Sequence, residues 1–265
     1  MKRMILAGIV AFAAGISGLM AQQQPAPKKD APAQKGPAPK SQAELTAVQA
    51  LFNAANGRDP DGIIKAAEEL LTKFADTDFK EIALWTEATA YQQKNDPVKA
   101  QIFAERVLEI NPKNVQATLM IGELIAQHTR ENDLDKEEKL GKAEKYLNDT
   151  ISNAKTMEKP NPQIPDAQWE EQRKYLIAEA QNDLGLVALT RKKYDLAATD
   201  FKTAADMDPQ PAYLVREASA LQAGGKNDEA LAIVDKLLAD PQLHPAIKQV
   251  ATQVKNAATA AKGGK

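Results

Sequence analysis

The 265-residue chain contains no cysteine. That removes disulfides, thiol nucleophiles and thiolate metal sites together, and it leaves the redox compartment open. Imidazole is nearly absent as well: His128 and His244 fall in separate loops, and no helix carries the His pair that a zinc site needs. Both read as surface or turn residues. Serine is scarce, with neither a Gly-x-Ser-x-Gly elbow nor a Gly-rich phosphate loop, and Gly224-Gly225 reads as a turn between helices. The acidic neighbours Glu68-Glu69, Glu137-Glu138 and Glu170-Glu171 would point about 100° apart on a helix, so they suit solvated faces rather than acid and base work. Asp133-Leu134-Asp135 with Glu137-Glu138 lacks the turn glycine and the spaced final glutamate of a calcium loop. Asn148-Asp149-Thr150 matches a glycosylation sequon but falls within a predicted helix. These absences point away from an enzyme and toward a chain with no cofactor and no metal.

Long apolar runs are absent after the first 21 residues. Lys2 and Arg3 precede the run Ile5 to Ala14 and the looser segment ending at Ala21, which is the layout of a secretory signal peptide cleaved after Ala21. The alternative is an uncleaved anchor, since Met4 to Ala21 reaches 18 residues, near the lower limit for crossing a bilayer. Without a cysteine after the run, a bacterial lipoprotein anchor is excluded. Residues 22–40 hold five prolines among Ala, Gln and Lys and carry a charge of +3, so an extended, solvated linker is expected there. Loss of Lys2 and Arg3 with the leader would leave 32 basic against 36 acidic residues, a net charge of −4. With no basic stripe, nucleic acid is not an expected partner. Membrane contact would come only through an uncleaved N-terminal segment.

What the chain has is spacing. In the stretch from Ala178 to Pro209, Leu184, Gly185, Ala188, Tyr194, Ala197, Phe201, Ala204 and Pro209 put small residues where two antiparallel helices come close and a proline where the second must stop. The same internal distances recur at Ala88, Tyr91, Ala100, Ala104, Val107 and Pro112, and again at Ala218, Leu221, Ala230, Val234 and Leu237, with Pro241 one residue early. Another copy opens with Ile121, Gly122 and Ile125, but its second helix, marked by Ala143, Leu147 and Thr150, arrives nine residues late after the polar run His128 to Glu138. Residues 41–78 form an atypical helix pair, and 245–262 a closing helix with Ile247, Val250, Ala251, Val254 and Ala258 on one face.

This pattern resembles the tetratricopeptide repeat (TPR) family, whose unit is about 34 residues long. The resemblance implies an all-α, right-handed superhelical α-solenoid of about five helix-turn-helix repeats with a C-terminal capping helix. The expected units are 41–78, 81–114, 115–154 with an insertion, 166–210 with an extended first helix, and 211–243. It also implies a non-catalytic scaffold for protein or peptide partners. The junction Asp76-Thr77-Asp78-Phe79 resembles helix connections in bacterial envelope assembly proteins, which suits a periplasmic or secreted protein.

In this family the first helices line a concave groove. Carried over by offset from the small packing residue, Ile82, Trp85, Thr89, Gln92, Gln116, Leu119, Glu123, Glu179, Asn182, Leu186, Val215, Ser219 and Gln222 should face it. Their mixture of apolar and amide groups suits an extended peptide or a partner's helix. Chaperone-binding relatives hold a terminal carboxylate with groove Lys, Arg and Asn, of which Asn182 alone has a counterpart here. Trp85 is the expected anchor, with burial between repeats as the alternative reading. Pro160, Pro162 and Pro165 force residues 155–166 out of the stack, and Asp166 should cap the long helix that follows. Trp169 in that added portion should pack against the preceding repeat, with a partner-facing role as the alternative reading.

Overall fold

A computed structural model describes residues 36–263, so the expected leader and most of the linker lie outside the described residues. Those described form eleven α-helices and no strand. They are α1 (Gln42–Gly57), α2 (Pro60–Lys73), α3 (Lys80–Gln93), α4 (Pro97–Ile110), α5 (Val115–His128), α6 (Lys136–Thr156), α7 (Asp166–Thr190), α8 (Tyr194–Met207), α9 (Pro211–Ala223), α10 (Asn227–Leu238) and α11 (Pro245–Gly263). Each helix packs on the next, while α5 also packs on α7 and α9 on α11. The result is an α-solenoid of five helix pairs closed by α11, and its core runs as consecutive clusters along the array.

Local chemistry sets the helix ends. Asp59 and Asp96 cap α2 and α4 by accepting from the Gly62 and Lys99 N–H groups, each at 3.0 Å, with a proline next in line as the first helical residue. A proline there loses no hydrogen bond, because the first turn has no intrahelical acceptor for its amide. Asp166 does not cap α7. Pro165 occupies the cap position without a side-chain bond, and the Asp166 carboxylate pairs with Lys159 across the proline segment instead.

The turn inside each pair repeats as well. Arg58, Asn95, Lys192 and Gly225 have φ of 53°, 58°, 59° and 81°. The next residue's N–H reaches back five positions, from Asp59 to Ala54 O, Asp96 to Tyr91 O, Lys193 to Ala188 O and Lys226 to Leu221 O, at 2.8–3.2 Å. This is the left-handed helix stop that satisfies the last carbonyls. The pair α5–α6 departs from it, because residues 129–135 form a loop between its helices, and α6 after the loop is 21 residues long.

Inside the pairs, packing depends on matched volumes. A Cβ on Gly185 would lie 2.5 Å from the Phe201 ring, and one on Gly122 2.7 Å from Leu147. Where the first helix carries Ala88 or Ala218 instead, the residues at the equivalent offset are the smaller Ala104 and Val234. Between pairs, contacts fall a repeat length apart: Tyr213 with Glu179, Arg216 with Asn182 and Lys262 with Asp228 are each separated by 34 residues.

Candidate functional site

A cleft of about 380 Å³ opens between the N-terminal turns of α3 and α5 and the first turns of α7. Ile82 and Trp85 come from α3, Val115 and Gln116 from α5, Trp169 and Gln172 from α7, and Met157, Glu158 and Pro160 from the proline-rich connection. Phe52 and Pro37 complete one end. Both tryptophans of the chain therefore line one cavity.

Its polar edge is fixed in place. Glu81 accepts from Asn111 Nδ2 at 2.9 Å and from Asn114 Nδ2 at 2.8 Å, while Asn114 Oδ1 accepts from the Ala117 N–H at 2.9 Å as the cap of α5. The carboxylate thereby ties the α4–α5 turn to the start of α3. The lining carries three carboxylates, from Asp78, Glu81 and Glu158, against Lys113 in the lining and Lys40 3.7 Å from Asp78, so the cleft keeps a small acidic excess beside its aromatic walls.

Further along the array, side chains expected to line the groove bond across neighbouring helices. Tyr213 donates to Glu179 at 2.9 Å and Arg216 donates to Asn182, which also binds Asp183. Burial holds the Glu179 carboxyl above the usual range, against the pull of the Tyr213 hydrogen bond. It also pushes the Tyr175 and Tyr213 phenols up, with the Glu179 charge adding to the effect. This cluster joins α7 to α9.

Of the residues assigned to the groove from the sequence, Ile82, Trp85 and Gln116 meet in the cleft. Leu119, Asn182 and Val215 are buried, at 4%, 2% and 6% exposure, because the neighbouring helices sit over them. Thr89, Gln92, Glu123, Glu179, Leu186, Ser219 and Gln222 are partly exposed outside the cleft. Thr89 and Ser219 turn their hydroxyls to the Thr86 and Val215 carbonyls, and Glu123 accepts from Gln127 at 3.0 Å. Trp169, expected to pack on the preceding repeat, forms a partly exposed wall of the cleft. Offset reasoning missed Asn111, Asn114, Met157, Pro160 and Gln172. The three prolines that expel residues 155–166 from the stack were the signal for the last three. Among the described residues no group of three or more His, Asp or Glu could hold a metal ion.

The family model for the tetratricopeptide repeat matches residues 178–211, which span the C-terminal half of α7 and all of α8. The chain carries a tetratricopeptide repeat. A thermophilic TPR protein of Thermus thermophilus shares 18% identity over 81% of this chain and 98% of its own, with a TM-score of 0.51. The MamA protein shares 16% identity over 74% of this chain and 90% of its own, with a TM-score of 0.55. At such identities the likeness is one of fold: the whole array is a TPR-type solenoid, and TPR proteins are in general non-catalytic scaffolds that bind other proteins. No curated protein sequence matches the chain.

Proposed function

We propose that this TPR protein is an exported, non-catalytic scaffold that holds an extended peptide or a helix of another envelope or secreted protein, with the Trp85–Trp169 cleft as the anchoring point. The observation that carries the reading is the convergence of both tryptophans on one acidic, partly open cavity. Half-exposed aromatic pockets rimmed by ordered polar groups are where binding energy concentrates in protein interfaces. Export rests on the sequence of residues 1–21, and among the described residues no helix is long and apolar enough to cross a membrane.

A photo-crosslinking residue placed at Gln116 or Gln172 in living cells should capture a defined protein. The adduct should vanish when Trp85 and Trp169 are both changed to Ala. Equal capture from Thr199 on α8, far from the cleft lining, would remove the cleft from the account. Mass spectrometry of the N-terminus tests export with cleavage, for which the mature chain begins near Gln22. A chain retaining Met1 would make it an anchored spacer.

A further inference from the structure

The chain enters the fold beside this cleft. Residues 36–40 lie outside any helix, and they are held by Lys40: its Nζ donates to the Asp76 carbonyl, pairs with the Asp76 carboxylate at 3.1 Å and approaches Asp78 at 3.7 Å. The Lys40 N–H donates to Glu44 Oε2 at 2.6 Å. Asp78 is itself part of the cleft wall. Followed back from Ser41, the backbone therefore reaches the cleft at Pro37, which lines it.

What precedes Pro37 has the composition such a cleft accepts. Residues 22–35 read QQQPAPKKDAPAQK, with Pro25, Pro27 and Pro32 and the cations Lys28, Lys29 and Lys35 against Asp30. Proline-containing segments present a preformed extended backbone, lose little entropy on docking and stack their rings on aromatic walls. The lysines match the excess of carboxylate in the lining. At about 3.1 Å per residue the segment reaches about 43 Å, far more than a single cavity needs.

We infer that the proline- and lysine-bearing segment 22–35 of the same chain docks in the Trp85–Trp169 cleft, continuing inward from Pro37, and must be displaced before a partner can anchor there. The inference rests on the scaffold reading of the same cleft. Because the tether begins at the cleft mouth, its effective concentration is in the millimolar range, so even weak intrinsic affinity fills the site. A partner would then have to outcompete the tether, which makes the array selective for strong or multivalent ligands.

The two tryptophans report occupancy directly, since both line the cleft. Acrylamide quenching of their emission is measured in the full chain, purified with its natural N-terminus, and in two variants. One carries Lys28→Glu, Lys29→Glu and Lys35→Glu; the other carries Pro25→Gly, Pro27→Gly and Pro32→Gly. Loss of protection in both, with an unchanged helical circular dichroism signal, is the expected result. Protection that is unchanged in both variants overturns the inference. Protection that disappears on dilution assigns the occupant to a second copy and overturns docking within one chain. The crosslinking test at Gln116 separates this inference from the scaffold reading. Unchanged quenching with a Trp-dependent adduct leaves the scaffold standing without self-docking. Lost protection with no adduct leaves self-docking standing without a partner.

Discussion

Single residues in this array matter through the space left opposite them. Gly185 faces the Phe201 ring and Gly122 faces Leu147, both with no room for a methyl group, whereas a Cβ on Gly141 in α6 would meet nothing within 4 Å. Gly185→Ala and Gly122→Ala should each destabilise by about 1–3 kcal/mol through overpacking. Gly141→Ala should stabilise by about 0.5–1 kcal/mol, because only helix propensity changes there. Urea midpoints of the three variants check the opposite signs. Glu87 in α3 is fully buried, and neither carboxylate oxygen has a hydrogen-bond partner. Burial, reinforced by the charge of Glu68 and opposed by Arg106, pushes its pKa from 4.5 to about 7. The folded state thus binds this proton more tightly than the unfolded chain. The favourable contribution is complete below the unfolded value and is lost as pH rises through the folded one. Glu87→Gln, which cannot ionise, should raise stability by on the order of 1–3 kcal/mol at pH 8 and change it little at pH 5. An equal gain at both pH values would contradict this account.

Between elements, buried polar contacts decide how neighbouring helices dock. Ser41 Oγ accepts from the Glu44 N–H at 3.1 Å, and the Glu44 carboxylate reaches Thr77 Oγ1 at 2.6 Å, so the first turn of α1 is fastened to the α2–α3 junction. Thr77 Oγ1 accepts in turn from the Phe79 N–H at 3.2 Å, at the start of α3. Glu44 is buried, and loss of its partner would leave a desolvated acceptor. Thr77→Val, which keeps the shape and removes the hydroxyl, should destabilise by about 1–3 kcal/mol. Hydrogen exchange should show the added opening concentrated in α1 and the start of α3. A uniform loss of protection over all eleven helices would mean that the contact does not act locally. In the middle of the array, Thr150 donates to Thr118 at 2.9 Å between α6 and α5, a buried link between the two helices parted by the inserted loop.

At the scale of the molecule, an array has ends that must be covered. Helix α11 buries Ala251, Val254 and Ala258 against the last pair, packs Ile247 partly against the same core and turns its other residues to solvent, with Lys255 and Lys262 paired to Asp235 and Asp228 of α10. Ending the chain at Asp240 would uncover Leu221, Val234 and Leu237, and the array would lose the polar outer face that a terminal unit supplies. The expected outcome is concentration-dependent association in size-exclusion chromatography with the first pairs still helical. A truncated chain that stays monomeric at all concentrations would show that α11 is not the cap. The insertion is braced at the same scale: Arg191 at the end of α7 binds Glu137 and Glu144 of α6 at 2.9 and 2.8 Å, and Lys192 pairs with Glu131 of the inserted loop.

By itself the sequence determined the all-α class and the repeating helix pair. Both follow from contacts between residues close in the chain, and Gly185 with Phe201 or Asp96 with Pro97 carry them in their identity and spacing. Offset from a small residue located a face of each first helix but not what would cover it, so it carried no sign that Leu119, Asn182 and Val215 are buried. Only the tertiary structure decided where the array opens. The cleft joins Pro37, Phe52, Trp85, Asn111, Gln116, Pro160 and Trp169, residues from distant parts of the chain. Their meeting depends on how the helix pairs stack and on the path of the expelled proline segment, quantities that sum over many interfaces and that no local spacing encodes.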